Sequence, residues 1–98
     1  MRTINWITSP KVITLHGVPL LHLKKIALNK IFPIDMRTNR SEQKIREIKT
    51  SMFNGKKIPP IWLSPIKGGF RIYDGNHRYY ATLDLIGKSG TIYAYVAR

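Results

Sequence analysis

The sequence predicts an α+β fold, a single domain over residues 1–98 with strands before, between and after two main helices. Three observations predict it. Hydrophobic residues make up 43% of the 98 residues, which is enough for one modest core but not for two. Two stretches, at about 41–53 and 76–86, repeat apolar residues at helical spacing. The other apolar runs are rich in β-branched residues and are separated by glycine and proline turn signals.

The first 28 residues are expected to form two or three short strands. Turn signals at Ser9-Pro10 and at 16–19 separate them. Val12, Ile13 and Leu15 are expected to point inward. The role of residues 1–22 stays open at this point, because their side chains indicate no chemistry.

Residues 29–40 predict an ordered connection, since Pro33 opposes a helix there. Asp35 lies in this loop, and Arg37 and Arg40 follow it, just before the first helix. Two interpretations are open for these arginines. Either they point at the same anion as Arg78, further along the chain, or they are solvated.

The first helix is expected to run from about Ser41 to Phe53. Ser41 is a preferred N-cap residue, and Glu42 favours the positive end of the helix dipole. One face of the helix is apolar and carries Ile45, Ile48 and Met52. The opposite face, where Glu47 is the only acid among several bases, is expected to be solvated.

A β-hairpin and a second helix are expected to follow. Residues 58–64 predict a strand that begins at a sheet edge because of its two prolines, and 70–74 predict the returning strand after a glycine turn. The second helix is expected over about 76–86. The last strand, 91–96, is expected at a sheet edge because of its two aromatic residues.

The stretch Asp74-Gly75-Asn76-His77-Arg78 joins the hairpin to the second helix. Gly75 can adopt a positive φ, Asn76 can cap the first helical turn, and His77 and Arg78 add cationic donors beside the free amides. Amides at a helix N-terminus with an arginine fork make a phosphate site. The alternative is a purely structural helix cap in which Asp74 pairs with a nearby base.

The composition excludes several classes of function. The formal net charge of +12 favours phosphates, nucleic acid or anionic lipid as partners. The chain has no cysteine, which excludes disulfides and cysteine chemistry. No apolar run approaches the roughly 20 residues of a membrane span, so no membrane partner and a cytoplasmic location are expected.

The residues just described resemble a known family. The chain reads Ile58-Pro59-Pro60-Ile61-Trp62-Leu63, then a Gly-Gly hairpin, then Phe70-Arg71-Ile72-Tyr73-Asp74-Gly75-Asn76-His77-Arg78 and a Tyr-Tyr-Ala helix. Over roughly residues 23–96 it is similar to the ParB N-terminal/sulfiredoxin-like family. The resemblance implies a small domain with a mixed sheet and two main helices, whose glycine turn and helix start bind nucleotide phosphates, commonly with Mg²⁺.

The motif matches that family in part. Gly75 matches the turn glycine, and His77 and Arg78 match the pair that meets phosphate in the sulfiredoxin-like branch. Asn76 stands where sulfiredoxins carry their catalytic cysteine, which excludes sulfinic-acid repair. It also stands where partition proteins carry a glutamate, and His77 where they carry an arginine. The family's serine kinases use an acid as base, and Asp74 is the acid of this motif.

The resulting prediction is a domain that binds a nucleoside triphosphate, ATP or CTP, with Mg²⁺. It would act as an NTPase, a small-molecule kinase or a nuclease, on or near DNA. The predicted catalytic residues are Asp74, His77 and Asp35, with Asp74 also as metal ligand, and the predicted phosphate ligands are Gly75, Asn76, His77, Arg78, Arg37 and Arg40. The alternative is a non-catalytic, basic DNA-binding accessory protein, for example one carried by a phage or plasmid, and its oligomeric state is open.

Overall fold

A computed structural model describes residues 3–34 and 37–97, without the side chains of residues 39 and 40. The elements, in chain order, are β1 (Val12–Leu15), β2 (Val18–Ala27), a 3₁₀ turn (Leu28–Lys30), β3 (Ile31–Phe32), α1 (Asn39–Phe53), β4 (Ile61–Ile66), β5 (Gly69–Asp74), α2 (Asn76–Ile86) and β6 (Thr91–Ala97). Neither helix is long and apolar enough to cross a membrane within these described ranges.

The strands form a six-stranded sheet in the order β1-β2-β6-β4-β5-β3. The β3–β5 and β4–β6 pairs are parallel, and the other three pairs are antiparallel. The sheet is therefore mixed, and with its two helices it confirms the predicted α+β fold.

The core lies between the sheet and the two helices, which pack against each other. Buried side chains from alternate positions of the central strands meet the inner faces of both helices. They include Ile61, Leu63, Ile72, Ile92, Ala94 and Val96 from the sheet and Ile45, Met52, Tyr79 and Ala81 from the helices. The inward side chains of the strands and the apolar faces of the helices pack together here, so the core sets the position of the turn between β5 and α2.

The start of α1 differs from the prediction. The helix begins at Asn39 and its N-cap is Thr38, not Ser41. The Ser41 amide donates to Thr38 Oγ1 at 3.2 Å, while the Thr38 amide donates to Ser41 Oγ at 2.7 Å. Ser41 thus takes the reciprocal role of a capping box, in place of the usual glutamate or glutamine.

The last strand also differs from the prediction. β6 is not at an edge but lies between β2 and β4, paired with both. Its residues Ile92 and Ala94 are fully buried, because they face the helices. The β4 strand begins at Ile61 rather than at Ile58, and Ile58 forms an isolated bridge with Trp6 instead.

The N-terminal residues contribute to the sheet and to its surroundings. β1 and β2 form a hairpin whose turn, His16-Gly17, has positive φ at both residues, the conformation that suits the twist of a two-residue hairpin. In the segment before β1, the Pro10 carbonyl accepts a hydrogen bond from the Tyr95 hydroxyl at 2.6 Å. Leu15 is 56% exposed and does not point inward as predicted, because it lies at the hairpin tip beyond the core.

Candidate phosphate site at the Gly75 turn

The link between β5 and α2 is a single residue, Gly75, in a left-handed conformation with φ 108° and ψ 27°. A Cβ at this position would lie 2.6 Å from Ile61 Cγ2 and 3.1 Å from Arg78 Nη2. Both the backbone angle and the lack of space therefore require glycine. The turn is closed by the Tyr79 amide, which donates to the Gly75 carbonyl at 2.9 Å.

The first turn of α2 presents free donors. Because the helix's own hydrogen bonds begin at Tyr79, the amides of Asn76, His77 and Arg78 have no acceptor within the helix. Gly75 is the N-cap, and no side chain caps these amides. The predicted capping role of Asn76 is thus wrong. Asn76 occupies the first helical position, and its Oδ1 is buried without a hydrogen-bond partner.

Arg78 holds the turn to the segment before β4. Its Nη1 donates to the carbonyl oxygens of Pro59 and Pro60, each at 3.1 Å, and its Nη2 lies 3.3 Å from Asp74 Oδ2. The Arg78 side chain is only 18% exposed, whereas that of Asp74 is 69% exposed. Burial lowers the pKa of the Arg78 guanidinium, and Asp74 opposes this shift. Arg78 is therefore a partly desolvated cation with one solvated counter-charge.

The turn opens into a cavity of about 680 Å³. Three parts of the chain line it: α1, the segment before β4, and the end of β5 with the first turn of α2. The lining residues are Glu47, Ile48 and Ser51 of α1, Ile58 and Pro59 before β4, and the whole stretch from Tyr73 to Arg78. The free amides, Arg78 and a second wall from α1 thus surround one space large enough for a small ligand.

Asp74 and His77 both line this cavity, together with Glu47. Within the described part of the chain, no three His, Asp or Glu side chains lie close enough to form a metal site on their own. A single carboxylate is nevertheless a usual protein contribution to Mg²⁺ when the ligand's phosphates supply the remaining oxygens. Asp74, the more exposed partner of Arg78, suits that role by position.

The other predicted site residues fall in different places. Arg37 does not reach the cavity wall; it binds Glu42 and Asp84 near the start of α1. The side chain of Arg40 and all of Asp35 lie outside the described residues. The predicted roles of Arg37 and Arg40 in phosphate binding, and of Asp35 in catalysis, therefore stay predictions.

Three lining residues, Glu47, Ser51 and Tyr73, were not singled out from the sequence. Glu47 and Ser51 lie four residues apart on α1 and so share a helix face. Glu47 was expected to be solvated and is exposed, but it also lines the cavity; its isolation among basic residues was the available signal. Tyr73, 75% exposed beside the glycine motif, was also missed. A large exposed aromatic residue next to a candidate site is a signal of a binding surface.

Among solved structures, the chain is similar to sulfiredoxin from Arabidopsis thaliana. The two are 26% identical, with a TM-score of 0.59, and the match covers 78% of this chain and 84% of the sulfiredoxin. No protein-family model matches the chain. No curated protein matches it either. The chain thus has a sulfiredoxin-like fold.

Proposed function

We propose that the cavity at the Gly75 turn binds the phosphates of a nucleotide. The observation that carries this proposal is the convergence of the unpaired α2 amides and the half-buried Arg78 guanidinium on one cavity of about 680 Å³. The positive end of α2 and the arginine fork both favour an anion there. The sulfiredoxin-like fold supports it, because the family resemblance implies phosphate binding at this turn.

The proposal gives each residue of the turn a part. The amides of Asn76 and His77 donate to phosphate oxygens, and the absence of a Cβ at Gly75 lets the ligand approach the backbone. Arg78 exchanges neutral carbonyl partners for charged oxygens, which form stronger hydrogen bonds with a guanidinium. The unpartnered Asn76 Oδ1 is an acceptor for a ligand hydroxyl.

We also propose that the site is catalytic. Asp74 would hold Mg²⁺ together with the phosphates, and the ion would supply charge neutralisation of the phosphoryl group. His77 lines the same cavity. It would take a proton from an attacking hydroxyl or water. ATP and CTP are the proposed nucleotides, and hydrolysis, transfer to a small molecule and nuclease chemistry are the candidate reactions.

The second candidate is a non-catalytic, basic DNA-binding protein. The net charge of +12 favours it, because neutralised DNA phosphates release counterions. The two candidates differ in their salt dependence. DNA binding by charge alone falls steeply with salt and gives no nucleotide turnover, whereas a built phosphate site keeps its nucleotide at physiological salt.

The test is thermal unfolding with ATP, ADP, CTP and GTP, each with and without Mg²⁺. A ligand at a hundred times its dissociation constant should stabilise the folded state by about 2.7 kcal/mol. The shift should be selective for one base and should vanish in Arg78→Gln. Turnover assays with the stabilising nucleotide then decide whether it is hydrolysed.

Lys88→Gln is the matched control, since it removes the same charge from the exposed turn after α2. This variant should keep the nucleotide shift in full. Urea unfolding without nucleotide shows whether Arg78→Gln is folded, and Arg78→Lys, which keeps the charge but not the fork, should bind more weakly than the unmodified protein. No shift with any nucleotide, or equal shifts in Arg78→Gln and Lys88→Gln, would contradict the proposal.

A further inference from the structure

The sheet face away from the helices carries an aromatic cluster with an exposed outer ring. The Tyr73 and Trp62 rings are stacked, with centroids 6.4 Å apart and planes 23° apart. Trp62 in turn meets Tyr95 edge-to-face at 6.3 Å, and the Tyr95 hydroxyl is fixed by its bond to Pro10. Tyr73 is 75% exposed, so the outermost ring of the cluster is open to solvent.

This face is also cationic. Arg71 lies two residues from Tyr73 on β5 and pairs with Ser64, two residues from Trp62 on β4, so all four share the outer side. Further across the sheet, Lys25 Nζ lies 5.6 Å from the centre of the Tyr93 ring.

Except for Asp74, the acidic residues described lie elsewhere. In the six strands described, the only acid is Asp74, at the end of β5, where it pairs with Arg78. Glu42 and Asp84 are in the helix layer and are bound to Arg37. Asp74 is paired with Trp62 at the end of β5 and is bound by Arg78, whereas no other residue of the six strands is an acid, so no second carboxylate opposes Arg71 on this face.

A groove of about 540 Å³ runs along this aromatic cluster. Trp62, Ser64 and Tyr73 form one wall, and Leu15, Pro19 and Leu20 of the β1–β2 hairpin form the other. Tyr73 also lines the phosphate cavity, so the groove reaches the edge of that site.

We propose that this groove binds an unpaired polynucleotide strand, with a base stacked on Tyr73 and the backbone near Arg71. A flat aromatic support beside a cation matches the way single strands are bound without reading their sequence. A duplex has its bases stacked inside and offers only its phosphates to such a face. A second copy of this chain would bring the same positive charge to the groove, which opposes self-association there.

The test is fluorescence anisotropy with a labelled oligothymidylate of about 15 nucleotides, the upper range of a single-domain site. Tyr73→Ala should weaken binding about 10-fold, because the base loses the aromatic ring on which it stacks. Tyr73→Phe should bind like the unmodified protein, because the ring is kept. Trp62 fluorescence should change on binding only where Tyr73 or Phe is present.

Salt separates stacking from general charge attraction. Affinity should fall with salt for every variant, but the ratio between the unmodified protein and Tyr73→Ala should stay constant, because stacking is not screened. Phe53→Ala is the matched control: it removes an exposed aromatic ring, 58% exposed, from the helix layer and should have no effect. Arg71→Gln should reduce the salt slope by about one.

Equal affinity for the single strand and for a duplex of the same length would overturn the proposal, as would unchanged binding by Tyr73→Ala. Dimerisation that Tyr73→Ala abolishes, without any strand binding, would assign the groove to a second copy and overturn it too. Arg78→Gln should leave oligothymidylate binding unchanged while it abolishes nucleotide binding. The failure of this proposal is therefore distinguishable from failure of the proposed phosphate site.

Discussion

Two arginines that look alike in the sequence have opposite surroundings in the fold. Arg37 makes paired hydrogen bonds with Glu42 and with Asp84, and its guanidinium also lies 5.2 Å from the centre of the Tyr80 ring. These hydrogen bonds raise its pKa. Arg78 has two neutral carbonyl partners and one exposed carboxylate, and burial lowers its pKa.

The comparison shows that the partners of a cation, not its position beside a motif, indicate its role. Arg37 is already neutralised by two carboxylates and joins the start of α1 to α2. An added phosphate would have to compete with both of them. Arg78 has a single carboxylate partner, which is exposed, and it lines a cavity. We therefore propose a structural role for Arg37 and a phosphate-binding role for Arg78, in place of the shared role predicted from the sequence.

The largest effect is expected at the turn that orients Arg78. Gly75→Ala should destabilise the protein by about 3 kcal/mol, because a Cβ would clash with Ile61 and the backbone φ is positive. Urea unfolding measures the change. Gly68→Ala is the control: φ there is also positive, at 84°, but there is open space, so only about 1 kcal/mol should be lost. Equal losses would show that the close approach to Ile61 is unimportant.

Arg37→Met should reduce the free energy of unfolding by about 1 kcal/mol, since its pairs are partly exposed and screened by solvent. It should leave the nucleotide-induced thermal shift intact, in contrast to Arg78→Gln. Urea unfolding and the nucleotide series give the two results. Loss of nucleotide binding in Arg37→Met would place Arg37 in the site and contradict the proposed difference between the two arginines.

The Arg37 cluster should also make stability depend on acid pH. Hydrogen bonds from Arg37 lower the pKa of Glu42 and of Asp84. Since the folded-state pKa values are depressed, the stabilisation is fully present above the ordinary carboxyl range and is lost as the pH falls through the folded-state values. Urea midpoints between neutral pH and about pH 3 should fall more steeply for the unmodified protein than for Arg37→Met. Parallel curves would contradict the assignment.

The smallest effect is expected at Lys49, whose Nζ lies 3.1 Å from Asp84 Oδ2. Lys49→Met should cost only a few tenths of a kcal/mol, about 0.3, because Asp84 keeps both bonds from Arg37. Urea unfolding next to Arg37→Met measures the difference. A loss as large as that of Arg37→Met would mean that Lys49 and Arg37 contribute equally to the cluster.

Local signals were sufficient for much of the fold. The bounds of α2, 76–86, follow from apolar spacing and flanking glycines, and the structure has the same bounds. The cap of α1 was misplaced because Thr38 and Ser41 are both good capping residues and bond to each other. The central position of β6 rests on parallel pairing of Ile61 with Ala94, a long-range contact that no local pattern of strand residues specifies.

Only one wall of the candidate cavity was predictable from the sequence. The turn from Asp74 to Arg78 is continuous in sequence, so its glycine, free amides and arginine could be identified together. The opposite wall comes from Glu47 and Ser51 of α1, and which helix face reaches the cavity depends on how the two helices pack. The carboxylates that neutralise Arg37 come from two helices for the same reason.

The most direct test of the account is an NMR titration of the ¹⁵N-labelled protein with pyrophosphate, at physiological salt. We expect saturable shifts centred on the amides of Asn76, His77 and Arg78, which Arg78→Gln abolishes and Lys88→Gln does not. The Arg37 side-chain Nε–H signal should stay in place, because Glu42 and Asp84 hold it. Shifts centred on Arg37 and the start of α1, or spread evenly over exposed lysines, would contradict the assignment of phosphate binding to the Gly75 turn.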